Sequence, residues 1–75
     1  MFITLNQWYC RNSTYGYTKT ILVNVDEISE IAETHDPYHN ADGSYIAMKN
    51  GNHYNVKEDV TDIARRIQEI AERTK

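Results

Sequence analysis

The sequence predicts an α+β fold: a small, curved, barrel-like antiparallel sheet of four to five strands, covered by a C-terminal amphipathic helix. Period-two alternation of apolar and polar residues opens the chain, an Asn-Gly hairpin signal lies in its middle, and a 3.6-residue apolar period closes it. A chain of 75 residues makes one domain, because so short a chain buries only about 60% of its unfolded surface. We expect strands within residues 1–57 and the helix over 58–74.

The first two strands are predicted on either side of a segment rich in turn-forming residues. Residues 2–8 alternate Ile3 and Leu5 with polar neighbours, which is the pattern of a half-buried strand. Residues 11–16 contain Asn, Ser and Gly, so we expect a loop there. A second strand follows over 17–24, where the β-branched content favours extended backbone.

A third strand is predicted after a short interruption. Residues 24–28 contain Asn and Asp, which favour a tight turn or a short 3₁₀ segment. An extended piece over 28–34 follows. The alternative is a helix over 26–33, because Val25, Ile28 and Ile31 also fit helical spacing.

The Asn-Gly pair at residues 50 and 51 predicts a hairpin whose register can be argued from burial. A two-residue loop would place Ile46 and Met48 on the opposite face from Tyr54 and Val56. A three-residue loop that ends with Gly51 in the left-handed conformation pairs Ile46 with Tyr54 and gathers all four apolar side chains on one face. Burial therefore favours the three-residue loop.

The C-terminal helix is predicted by one continuous apolar stripe. The stripe consists of Val60, Ile63, Ala64, Ile67, Ile70 and Ala71. Asp59 is placed as the N-cap with Asp62 three residues later, and Asp62 with Arg66 gives an i,i+4 ion pair.

The segments "VNVDEI" and "SYIAMKNGNHYNVKEDVTDIARRI" resemble the small flagellar FlbD-type proteins and their short phage and prophage relatives. In that pattern an Asn-containing turn precedes an Ile, an Asn-Gly hairpin leads to Tyr-x-Val-x-Glu, and a capped helix follows. The resemblance covers residues 18–70 and rests on Asn24, Asn50, Gly51, Tyr54, Val56 and Glu58. It implies a strand over 28–34 and no catalytic residue, and it allows a flagellar accessory role.

The chain departs from that pattern in two segments. Residues 9–17 are longer and more aromatic than the usual short turn, and residues 34–43 are expanded. Binding functions are most often varied on loops, so we expect partner contacts in both. The alternative for the aromatic side chains of the first segment is packing at the edge of the core, in a domain with one Phe. The predicted contact residues are Trp8, Tyr9, Arg11, Tyr15 and Tyr17 in the first, and His35, Asp36, Tyr38 and His39 in the second.

Charge and composition narrow the partner and the compartment. The net charge is -3, and residues 24–42 contain six acids and no Lys or Arg, which weighs against nucleic acid and favours a basic protein. No apolar run reaches the roughly 18 to 20 residues of a membrane span, so we expect no membrane contact. The single Cys10 and a start without a leader pattern indicate a reducing cytoplasm.

His35-x₃-His39 with Asp36 offers metal-compatible ligand types. Two histidines at this spacing converge on one metal when both lie on a helix, and Pro37 argues against a helix here. We therefore expect a solvated or partner-contacting loop, with no metal and no other cofactor.

These features favour a small non-enzymatic protein-binding module of bacterial or phage origin, with a phage-encoded inhibitor of a host defence component as one specialisation. No acid, base, nucleophile or metal cluster can be assembled from the pattern, and Cys10 has no visible activating partner. The first alternative is a small-ligand or nucleotide-binding (sequestering) protein with a site between protomers, in which tyrosines stack on a base and Arg11, Lys19 or Lys49 meets phosphate. The second is a flagellar accessory protein. A homo-oligomer is expected because small cores often need one.

Overall fold

The computed structural model describes residues 1–12, 14–36 and 41–73, with the backbone alone for residues 10, 11, 14, 15, 36 and 41. Its elements follow the order β1 (Phe2–Arg11), β2 (Thr14–Asn24), a 3₁₀ turn (Val25–Glu27), β3 (Ile28–Asp36), β4 (Ala41–Met48), β5 (His53–Val56) and α1 (Val60–Arg73). A five-stranded antiparallel sheet with one C-terminal helix confirms the predicted α+β class.

The sheet is curled because its two edge strands are joined by a very short connection. The strand order is β2-β1-β5-β4-β3, so a flat sheet would hold β2 and β3 about 19 Å apart, four times the usual strand spacing. The Val25–Glu27 turn joins them with three residues, which advance about 6 Å in a 3₁₀ conformation. The sheet therefore curls, although its edges do not pair to close a barrel.

The 3₁₀ turn is the local structure that residues 24–28 predicted. The Asn24 side chain accepts a hydrogen bond from the Asp26 amide at 3.1 Å, and the Val25 amide donates to the Met1 carbonyl at 2.8 Å. β3 then begins at Ile28, which confirms the predicted strand and excludes the helical alternative.

The β4–β5 hairpin has the predicted register. Ile46 pairs with Tyr54, the Gly51 amide donates to the Met48 carbonyl at 3.0 Å, and Gly51 has a φ of +93°. Ile46 and Val56 are fully buried, and Met48 and Tyr54 pack against them. Burial of one common face selected the three-residue loop.

The core lies between the inner face of the curled sheet and α1. Its buried side chains are Ile3, Leu5, Val23, Ile46, Val56 and Ile63. The helix begins at Val60, two residues after the predicted bound. The predicted N-cap is confirmed, because the Asp59 carboxylate accepts a hydrogen bond from the Asp62 amide at 2.7 Å. Ile63, one turn later, is fully buried, and Ile67 and Ile70 pack against the same cluster.

Charged side chains reinforce the first turns of α1. The predicted ion pair joins the Asp62 carboxylate to the Arg66 guanidinium at 3.1 Å. Asp62 also hydrogen-bonds Arg65, and this bond raises the pKa of Arg65 above its ordinary value. These exposed pairs add little stability compared with burial of the apolar stripe.

The two halves of the sheet meet at a narrow junction between β1 and β5. One residue pair, Gln7 with Val56, joins the strands, and the Lys57 amide donates to the Asn6 carbonyl at 2.8 Å. The Glu58 carboxylate then accepts from the Asn6 backbone amide at 2.9 Å and from its Nδ2 at 2.8 Å. The Glu58 side chain thus takes the place of the next residue pair in the ladder between β1 and β5.

Two further hydrogen bonds extend this junction. The Arg66 guanidinium donates to the Thr4 carbonyl at 3.0 Å, so α1 satisfies backbone on β1 that lies beyond the end of β5. The buried Ser44 hydroxyl donates to the Glu58 carbonyl at 2.8 Å. Glu58 is therefore bonded to both halves of the sheet.

Both segments predicted as enlarged loops are largely strand, so that expectation was wrong. In residues 9–17, Tyr9 pairs with Tyr17 and Arg11 with Thr14, with a register irregularity between Tyr9 and Arg11. Asn12 adopts a φ of 51°, a conformation that Asn tolerates in tight turns. Cross-strand pairing outweighed the turn-forming composition.

The second segment shows the same outcome. His35 pairs with Asp42, and the ladder between β3 and β4 continues to the pair Asp36 and Ala41. The connection is thereby shortened to residues 37–40, which lie outside the part of the chain that the structure describes.

Gly43 is buried where β4 passes the end of β5. A Cβ atom at this position would lie 2.1 Å from the Val56 carbonyl oxygen, far inside van der Waals contact. A glycine is therefore required for the close backbone approach.

We expect Gly43→Ala to lower the free energy of unfolding by more than about 3 kcal/mol, because backbone rather than a flexible side chain must move. Gly51→Ala is the matched control: its added Cβ meets no atom within 4 Å, and only its positive φ is strained, at about 1 to 2 kcal/mol. Urea denaturation of both variants measures the difference. Equal losses would show that Gly43 is not sterically required.

Candidate functional site

Two β-ribbons extend past the region where β5 holds the sheet together. The tyrosine ribbon, residues 8–11 and 14–18, follows Gln7, the last residue of β1 that pairs with β5. The acidic ribbon, residues 33–36 and 41–44, reaches beyond the pair of Ser44 with Val56. The molecule is accordingly elongated, with principal extents of 45 × 23 × 19 Å.

The tyrosine ribbon carries a compact group of two rings and one ammonium. Tyr9 and Tyr17 are directly opposite across the strands, with ring centroids 5.9 Å apart. The Lys19 ammonium lies 5.9 Å from the centroid of the Tyr9 ring, within cation–π range. Tyr17 is 42% exposed, so this tyrosine cluster of Tyr9, Tyr17 and Lys19 is accessible to a partner.

The structure brings together only part of the predicted aromatic group. Tyr9 and Tyr17 are in contact, whereas Trp8 lies on the opposite face, because successive residues of a strand point to opposite sides. Trp8 is half-buried. The side chains of Arg11 and Tyr15 lie outside the described part of the molecule, so their predicted contact roles stay predictions.

The acidic ribbon borders an open cleft of about 620 Å³. The His35 Nδ1 lies 2.9 Å from the Asp42 carboxylate, and both side chains are more than half exposed. The opposite wall is the segment that leads into α1. The cleft is lined by Glu33, Thr34, His35, Asp42, Gly43, Lys57 and Asp59.

The cleft is electrostatically suited to a basic group. Glu33, Asp42 and Asp59 supply three carboxylates, against one ammonium from Lys57. Within residues 1–12, 14–36 and 41–73, no group of three His, Cys, Asp or Glu side chains is arranged to hold a metal ion. The excess of carboxylates can attract a cationic side chain.

Several predicted residues of the second segment cannot be placed in this cleft. His35 lies there, but Tyr38 and His39 fall outside the described residues, as does the Asp36 side chain. Lys57 and Asp59 were missed as site residues, because they follow β5 and lie outside both segments that were singled out. The β4–β5 hairpin, which pairs Ser44 with Val56, brings them beside Asp42 and Gly43. The acidic run was the sequence signal that pointed to Glu33 and Asp42.

Comparison of the chain with protein-family models, with curated proteins and with solved structures finds no match in any of the three. Among the residues that the structure describes, no helix combines the length and the apolar character needed to cross a membrane.

Asp42 and Asp59, two of the carboxylates that line the cleft, should contribute differently to the free energy of unfolding. We expect Asp42→Ala to change the free energy of unfolding by less than about 0.5 kcal/mol, because exposed ion pairs contribute little. Asp59→Ala removes the helix N-cap and should cost about 1 kcal/mol. Urea denaturation of the two variants measures both values. A loss for Asp42→Ala as large as that for Asp59→Ala would assign the acidic ribbon a structural role.

Proposed function

We propose that the chain is a small non-enzymatic protein-binding module of bacterial or phage origin that acts in the cytoplasm. The observation that carries the proposal is the tyrosine cluster on a ribbon that extends past the β1–β5 junction. Tyr and Trp are enriched in protein interfaces, where a large apolar ring is buried and its polar tip stays hydrogen-bonded. Pairing with Tyr9 on β1 holds the backbone of Tyr17 in place, which lowers the entropic cost of binding.

The acidic ribbon supports a second point of contact. Glu33, Asp42 and Asp59 face one Lys57 around an open cleft, so a Lys or Arg of a partner would find an excess of negative charge there. The net charge of -3 would accelerate encounter with a basic partner. The proposal assigns no catalytic residue and no cofactor.

The proposed specialisation is a phage-encoded inhibitor of a host defence component. A small acidic domain with an exposed aromatic surface is suited to covering a basic site on a larger protein. The resemblance to flagellar FlbD-type proteins supports a flagellar accessory role as an alternative. The identity of the captured partner separates the two roles.

Sequestration of a nucleotide is a second candidate, supported by the position of Lys19. Its ammonium lies 5.9 Å from the Tyr9 ring centroid, so a base stacked on a tyrosine would have a cation close by for phosphate. A rise in melting temperature with a nucleotide, lost in Lys19→Ala, supports this candidate. Unchanged melting temperatures with purine and pyrimidine nucleotides contradict it.

Affinity capture with variants tests the protein-binding proposal. Tyr17→Ser removes the exposed ring of the tyrosine cluster, whereas Tyr45→Ser removes a tyrosine from β4, where it contacts His53 at 5.7 Å between ring centroids. Tagged wild-type chain and both variants are used to recover partners from bacterial and phage-infected lysates. We expect at least about a tenfold loss of the recovered partner with Tyr17→Ser and none with Tyr45→Ser.

The control variant makes the result specific to the tyrosine ribbon. Circular dichroism confirms that both variants are folded before capture. Equal recovery with wild type and Tyr17→Ser would contradict a binding role for the tyrosine cluster. Equal loss with both tyrosine variants would also contradict it, because the effect would then not depend on the ribbon.

A further inference from the structure

Strand β2 forms one edge of the sheet and is the longest strand, with 11 residues. The direction of its backbone groups follows from β1. The Asn6 amide and carbonyl bond to Glu58 and Lys57, on the β5 side, and Asn6 pairs with Thr20. Asn6 and Thr20 are therefore a non-hydrogen-bonded pair. In an antiparallel ladder, both residues of a non-hydrogen-bonded pair turn their N–H and C=O groups away from each other. The backbone groups of Thr20 therefore point away from β1, toward the side of β2 on which none of the described strands pairs with it.

The same alternation applies along the regular part of the ladder. Thr18 and Leu22 lie two residues on either side of Thr20 and pair with Trp8 and Thr4. Their backbone groups also point outward, in agreement with the hydrogen bond from Arg66 to the carbonyl of Thr4 on the opposite side of β1. Thr18, Thr20 and Leu22, which alternate along β2, thus present backbone donors and acceptors to a further strand.

The side chains of this edge favour strand pairing. β2 contains no acidic residue, and its one cation is Lys19, in a chain of net charge -3. Thr18, Thr20 and Leu22 are exposed on the outer face, and Leu22 is 66% exposed. Long edge strands of β-branched and apolar residues with few charges readily pair with another strand.

The other edge strand is less suited to pairing. β3 has a register irregularity between Ile28 and Glu30, and helix α1 contacts it. It also carries Glu30 and Glu33. Bulges, charges and a covering helix protect edge strands from association. β3 has these features, so β2 is the edge that is more suited to pairing.

We propose that β2 pairs antiparallel with β2 of a second copy of the chain, about a two-fold axis at Thr20. In this register Thr20 faces Thr20 of the other copy, and Leu22 of each chain faces Thr18 of the other. All three outward-facing residues then form hydrogen-bonded pairs, and both Leu22 side chains gain a cross-strand neighbour. A shift that centred the pair on Lys19 would oppose two like charges, which disfavours it.

The predicted dimer is reversible and has a two-fold interface. A contact along one strand edge covers less than the roughly 1,600 Å² of a standard interface, so dimer formation should depend on concentration. Because the same edge is used by both copies, the interface closes and the assembly stops at two chains. The tyrosine cluster uses side chains on the opposite face of β2, so partner capture and dimerisation are tested separately.

Sedimentation equilibrium of the full chain tests the dimer. Across protein concentrations from about 1 to 500 µM, we expect the mass to rise from the 8.8 kDa of one chain to twice that value. Thr20→Pro removes the outward N–H at an edge position where proline is tolerated, and Thr20→Lys places like charges on the axis. Both variants should remain monomeric, whereas the control Thr20→Ser should dimerise like wild type.

Thr20→Lys keeps the test decisive if circular dichroism shows that Thr20→Pro does not fold. In wild type, hydrogen exchange at the amides of Thr18, Thr20 and Leu22 should slow at high concentration and recover on dilution. A monomeric wild type throughout the range overturns the proposal, as does a dimer retained by Thr20→Lys. Growth beyond two chains also overturns it, because that result indicates open-ended pairing of β2 with another surface.

Discussion

The bond network of Glu58 is the interaction on which the rest of the structure depends. Its carboxylate accepts two hydrogen bonds from Asn6, at 2.9 and 2.8 Å, and its carbonyl accepts the buried Ser44 hydroxyl. Strands β1 and β5 share one residue pair and the hydrogen bond from the Lys57 amide to the Asn6 carbonyl, so the Glu58 side chain supplies a large part of the polar contact between them. Hydrogen bonds to a charged acceptor are the stronger class, and a partly buried strand edge left unsatisfied would be costly.

The curl, the core and the ribbons follow from this junction. The short Val25–Glu27 turn requires that the edges of the sheet approach one another, and Glu58 fixes how β1 meets β5 while they do so. Glu58 directly precedes the N-cap of α1, so the same contact directs the helix and Ile63 onto the core. The described parts of the two ribbons extend outside this packed region, where Tyr17, His35 and Asp42 are exposed.

Local features of the fold were predictable from the sequence, and long-range ones were not. The register of the β4–β5 hairpin followed from Gly51 and from alternation, and the helix start followed from Asp59, since both depend on neighbouring residues. The two ribbons were predicted as loops because Asn, Ser, Gly and Pro favour turns locally, while pairing of complete strands decided the outcome. The Glu58 network joins residues 52 positions apart, so no local pattern indicated it. Tyr9 and Tyr17 could be named as contact residues from the aromatic content of one segment, whereas Lys57 and Asp59, which follow β5, lay outside both segments that were singled out.

A double-mutant cycle between Asn6→Ala and Glu58→Ala, measured by urea denaturation, tests the central role of this junction. We predict that Glu58→Ala costs about 3 kcal/mol and Asn6→Ala about 1.5 kcal/mol, because hydrogen bonds to charged groups are worth about 1.5 to 3 kcal/mol. The coupling energy should then be about 1.5 kcal/mol, since the Nδ2 bond is lost only once in the double variant. Costs that add to within about 0.5 kcal/mol would contradict the account, because the Asn6 side chain and the Glu58 carboxylate would then not be coupled.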